Sequence, residues 1–305
     1  MLQAFACMQE NRVLLDGQLI HTMGRDFNNE NYWKREFGSI YHLHELDSLW
    51  KTNKSITDYN DYGVQLVYLK RYKEALVVFQ NIERMSPGRY NTLANMGTTY
   101  ELLGQDKLAL EWIKKAVAKN PKSHFGSEWF HVKILEAKIK GPSSWNSTFL
   151  IGTDFGTDSI PKSTRSKKAL RSLTEDIFHQ LLERMKFIKP KDEMMAILLF
   201  EYGNLVALTD DATSSYRVYS IAKAYGYSSE LFDKRYDYSK KLQLKIEAYE
   251  NKISVQQEVN KNKKSQQIEV MTSAPRNTVL QLIFFLIPII LLVLVVLLFK
   301  FRKKK

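Results

Sequence analysis

The sequence predicts an all-α protein: a helical solenoid in outline, with two clear repeats, one degenerate repeat and capping helices, followed by one C-terminal transmembrane helix. Three observations predict it. Gly63 and Gly97, Ala75 and Ala109, and Pro87 and Pro121 are each 34 positions apart, a period of stacked helix-turn-helix units. Gly203, Ser215 and Ala222 repeat the offsets of Gly63, Ala75 and Ile82. From Thr278 to Phe299 no residue is ionisable.

The register has a physical cause. Where two helices of a hairpin cross, a glycine on the first and a small residue on the second allow close approach. Tyr59, Tyr62, Leu66 and Phe79 fill the rest of one interface, and Leu93, Met96, Tyr100 and Ile113 fill the next. Pro87 and Pro121 end the second helices, because proline lacks the donor a continuing helix needs. The frame resembles that of the tetratricopeptide repeat (TPR) family, W-x2-L-G-x2-Y, A-x3-F, A, P. The resemblance covers repeats near 56–89 and 90–123. Tyr59 and Leu93 replace the tryptophan, Leu66 the first tyrosine, Ile82 the second alanine of the first unit and Ile113 the second phenylalanine.

Residues 1–30 are polar and turn-rich and read as an N-terminal arm. Ala4-Phe5-Ala6 has the form of a signal-peptidase site, so residues 1–6 are a candidate signal-peptide remnant. The TPR domain spans 31–140, with a capping helix over 31–52 and another over Ser123–Ile139. A long loop, 141–166, follows; its Trp145, Phe149, Leu150, Ile151 and Phe155 predict that it packs on something. Residues 167–252 read as four helices containing the degenerate pair, and 253–277 as a polar linker, either an extension of the last helix or a tether.

The transmembrane helix is placed at 278–299, interrupted only by Thr278, Gln281 and Pro288. Its 22 residues would span about 33 Å, enough for a hydrocarbon core of about 30 Å. A basic tail, 300–305, follows. The net charge of +12 belongs mostly to this end: residues 251–305 hold ten basic against two acidic groups, residues 1–140 nineteen against sixteen. A near-neutral helical domain offers no phosphate-binding stripe, which excludes nucleic acid as the partner. The basic tail predicts a cytoplasmic C-terminus and a periplasmic domain on a bacterial inner membrane. The alternative is a cytoplasmic tail-anchored TPR adaptor. Cys7 is the only cysteine, so no intramolecular disulfide is available.

Catalytic signatures are sparse. His124, Glu128 and His131 would share one helical face and could present two imidazoles and a carboxylate to zinc, the less favoured reading of a metal-dependent enzyme. Capping residues give the same pattern. Asp154 and Asp158 match no calcium loop, and Asx turns explain them equally well. No cofactor and no catalytic residue is assigned.

Recognition remains. The resemblance implies a concave groove lined by first-helix positions, here Asn60, Val64, Tyr68, Asn91, Asn95 and Thr98, which would grip a protein or peptide partner. Heat-shock chaperone C-terminal carboxylates are argued against. Of the five clamp positions that hold them only Asn95 matches, while Asn60, Val64, Phe125 and Trp129 stand at the others. The expected function is a single-pass membrane scaffold for protein–protein interaction without catalysis.

Overall fold

The computed structural model describes residues 36–210, 212–273 and 282–292, and every element among them is helical. The N-terminal arm 1–30, the signal-peptide remnant within it and the basic tail 300–305 lie outside the described residues. Two units are present, one ending at Gln243 and one starting at Leu244.

In the first unit α1 (Ile40–Asn53) leads into two hairpins, α2 (Ile56–Tyr68) with α3 (Tyr72–Met85) and α4 (Tyr90–Leu102) with α5 (Asp106–Lys119). Ser39 and Ser55 start α1 and α2 by accepting from the backbone N–H of His42 and Asp58, satisfying donors a helix start leaves orphaned. Consecutive helices pack together from α1 to α5 and onward to α6 (Glu128–Lys140), the near-neighbour pattern of a solenoid.

The repeat glycines sit where the helices touch. A Cβ at Gly63 would lie 2.6 Å from the Phe79 ring, one at Gly97 2.5 Å from Ile113 Cδ1, and one at Gly203 would overlap the Tyr219 ring. Each partner follows its glycine by 16 positions, so the hairpin of α9 (Glu193–Thr209) and α10 (Ala212–Tyr225) repeats the contact of the first two. The sequence paired these glycines with Ala75 and Ala109. Both alanines are fully buried, but the larger residue one turn further on packs on the bare backbone. A side chain with reach covers a glycine better than a methyl does.

The capping helix expected over 31–52 starts only at Ile40, since the described residues 36–39 are not helical, and two other boundaries differ from expectation. The helix placed over Ser123–Ile139 is broken: Ser123–Gly126 is a 3-10 turn in which His124 and Phe125 adopt φ of 50° and 58°, and α6 starts only at Glu128. Left-handed residues cannot continue a right-handed helix. The loop 141–166 contains a 3-10 turn, Pro142–Ser144, and a short helix, α7 (Ser147–Ile151). It packs as predicted: Trp145 Nε1 donates to Ala137 O at 3.0 Å, and Leu150, Ile151 and Phe155 are buried.

Beyond it α8 (Lys167–Met185), α9 and α10 form the second core with α6, and the start of α11 (Glu230–Ser273) adds Phe232. Residues 253–273 of the polar linker are an extension of the last helix, one of the two forms expected, and no glycine or proline interrupts them. In the second unit residues 282–292 are also helical, with apolar side chains exposed. Among the described residues no helix is long and apolar enough to cross a membrane. Half of the span 278–299 lies outside them.

Candidate functional site

The first helices of the hairpins, α2 and α4, turn one stripe of side chains toward each other. Asn95 Nδ2 donates to Asn60 Oδ1 at 3.0 Å, joining them. Asn60, Val64, Tyr68, Asn95 and Thr98 are buried, and Asn91 is half-buried. This face is thus closed to solvent by the chain itself.

Trp129 Nε1 of α6 donates to Asp176 Oδ2 of α8 at 2.9 Å. One turn on, Gln180 Nε2 donates to Ser127 Oγ at 3.2 Å and lies 3.3 Å from His124 Nδ1. A further turn on, Arg184 reaches Glu101 of α4, Nη1 at 3.3 Å from Oε2 and Nη2 against Oε1. Phe187 then joins the apolar cluster containing Val64 and Tyr68 of α2, and Lys189 Nζ lies 5.4 Å from the Phe37 ring centroid. Residues 176, 180 and 184 share one helical face. They meet α6, its leading turn and α4 in succession, running back toward the first repeat.

The interface is charged at its centre. Glu101 pairs with Arg184, with His131 Nε2 at 2.8 Å and with Lys138 Nζ at 3.1 Å. Burial raises the Glu101 carboxyl, but Arg184, His131 and Lys138 outweigh it and hold it well below the usual range. Glu128 accepts from Tyr90 OH at 3.2 Å and pairs with His124 Nδ1 at 2.5 Å; burial raises it and His124 lowers it further, so it too is depressed. His179, stacked 4.3 Å from Phe125, is pushed down to about 4, by burial first and then by His124.

The three candidate zinc ligands are therefore parts of this network. His124, Glu128 and His131 are each at most 3% exposed. His124 sits on the left-handed turn, off the helix that carries the other two. Among the described residues no group of three such side chains is placed to hold a metal ion. Asp154 makes the Asx turn, its Oδ1 accepting from Gly156 N at 2.8 Å, and Asp158 pairs with Lys162 at 2.6 Å.

Two further features were not read from the sequence. Arg235 of α11, buried, donates to the carbonyls of Phe155 at 3.0 Å, Gly156 at 2.6 Å and Asp158 at 3.1 Å, clamping the loop. Glu201 of α9 accepts from Ser147 N at 3.2 Å and from Asn204 Nδ2 at 2.9 Å; burial outweighs both and pushes it up to about 7. A signal for the α8 contact exists: Gln180 and Arg184 interrupt the apolar run of Ile177, Phe178, Leu181, Leu182 and Met185. Polar residues inside such a stripe mark a polar counterpart.

On the outside of the first hairpin, Trp50 stacks on Tyr59 at 4.3 Å and 9°, and Asn81 Nδ2 donates to the Tyr59 hydroxyl at 3.2 Å. With Arg84 and Met85 these residues line an open cleft of about 350 Å³. Comparison with protein-family models, curated proteins and solved structures gives no match.

Proposed function

We propose that the chain is a membrane-anchored, TPR-like scaffold that holds partner proteins at a membrane without catalysing a reaction. The glycine contact shared by three hairpins carries this reading, because a repeated, nearest-neighbour architecture builds extended recognition surfaces. The anchor is the apolar stretch 278–299, whose described part is helical and exposes apolar side chains. The basic residues after it favour a periplasmic domain on a bacterial inner membrane.

The groove positions Asn60, Val64, Tyr68, Asn91, Asn95 and Thr98 are wholly or partly buried within the chain, so an incoming peptide at that face must displace what covers them. Partner contact falls instead to the aromatic shelf of Trp50 and Tyr59, rigid rings of the kind that dominate binding hot spots. Crosslinking capture from membranes of the native host tests this. The expected result is a specific set of proteins recovered by the full chain and lost with Trp50→Ala; recovery unchanged by that substitution overturns the shelf. Protease added to intact spheroplasts tests the side: degradation of the helical domain supports the periplasmic placement, and protection supports the cytoplasmic one.

A further inference from the structure

The second unit presents an unsatisfied helix. From Leu244 onward every α11 residue whose side chain is described is exposed, including Tyr249 at 67%, Ile253 at 39% and Ile246 at 36% on one seam. A helix with exposed apolar residues along one seam is stabilised by a partner that covers them. Ile246, Tyr249, Ile253, Gln256 and Asn260 follow one another at intervals of three, four, three and four. That alternation averages 3.5 residues and keeps one seam facing a partner along a left-handed supercoil.

We propose that this stretch of α11 pairs with the same stretch of a second copy as a parallel two-stranded coiled coil. Three features on the helix select that partner. Ile246, Ile253 and Asn260 occupy one core position of the repeat and Tyr249 and Gln256 the other; β-branched residues at the first favour two strands, and a lone asparagine there fixes register. Lys245 and Lys252 flank the seam on one side. An antiparallel pair would set these lysines against each other, whereas a parallel one sets Lys252 beside Gln257 of the other copy. The opposite stripe, Leu244, Ala248, Asn251, Val255 and Glu258, would bury a carboxylate against its own copy.

The apolar part of the seam is short, and the pairing draws on a shared membrane to raise the local concentration of the two copies; to that extent it rests on the proposed anchor. A cysteine scan on the full chain tests it, in membranes, with Cys7→Ser as background. Mild oxidation is expected to crosslink Ile253→Cys, Gln256→Cys and Asn260→Cys at least fivefold more than Val255→Cys, Glu258→Cys and Lys261→Cys. Adding Ile246→Asp to Asn260→Cys is expected to reduce its crosslinking about tenfold. Equal yields at all six positions, maximal yield on the opposite stripe, or no crosslinking at any position overturns the proposal. Alkaline extraction of the same membranes reports the anchor separately, so loss of anchoring and loss of pairing give different results.

Discussion

Arg184 and Glu101, 83 residues apart in the chain, form a two-armed ion pair with both side chains at most 2% exposed. Its desolvation cost is high and offset only while both charges remain. Arg184→Met leaves Glu101 with His131 and Lys138 and is expected to destabilise the protein by about 3 kcal/mol. The double substitution Glu101→Leu with Arg184→Met is expected to cost less than either single change. Urea denaturation of the four variants checks it, and an additive double mutant would show that the charges do not depend on one another.

The glycine contacts make a prediction of opposite sign to helix propensity. Alanine is normally better than glycine inside a helix by about 1 kcal/mol. Gly203→Ala is nevertheless expected to destabilise, by about 1–3 kcal/mol, because Tyr219 occupies the space of its Cβ. Gly97→Ala is expected to do the same against Ile113, and adding Ile113→Val should recover part of the loss. Thermal melts of the paired variants measure both.

Burial of Glu201 produces a pH dependence that one substitution isolates. Its carboxyl titrates near 7 in the folded chain, against 4.5 ordinarily. Between those values the folded state keeps a proton the unfolded state has lost, so this group's contribution to stability falls as pH rises from 4.5 to 7 and is lowest above 7. The linkage amounts to about 3 kcal/mol. His179, pushed down to about 4, acts oppositely: stability falls as pH drops from 6.5 toward 4, masking the effect in the parent protein. Glu201→Gln is expected to gain stability relative to the parent at pH 8 and none at pH 4. Denaturation midpoints across that range check the difference.

Arg235 is the tie between α11 and the loop. Removing it with Arg235→Ala frees the carbonyls of Phe155, Gly156 and Asp158. Limited proteolysis is expected to cleave within 152–166 at least tenfold faster in the variant while the helices resist as before. Unchanged cleavage would mean that Phe155 and Leu150 alone hold the loop.

The hairpins were legible because their determinants are local: Gly63 and Phe79, or Gly203 and Tyr219, lie in adjacent helices, and the spacing reports the crossing. The degenerate pair was readable for the same reason although no proline closes it. The reach of α8 to α4 was not, since Gln180 meets Ser127 across 53 positions and Arg184 meets Glu101 across 83. Nothing in the neighbourhood of Glu101 announces a helix that arrives so much later in the chain. His124 misled differently. Its spacing to Glu128 and His131 is helical, but Gly126 at φ 86° belongs to a left-handed turn that a helical count cannot register.

The way α8 reaches back to α4 limits how the array could have grown. From Asp176 to Arg184 is eight residues, about 12 Å of helix, enough for one helix-to-helix spacing of 8–10 Å. The stretch thus matches the step from α6 to α4. Inserting one more hairpin by duplication between α5 and α6 would carry Glu101 out of reach of Arg184 unless α8 lengthened by about six residues in the same event. Unlike an open solenoid, this one has a gauge that fixes its number of repeats.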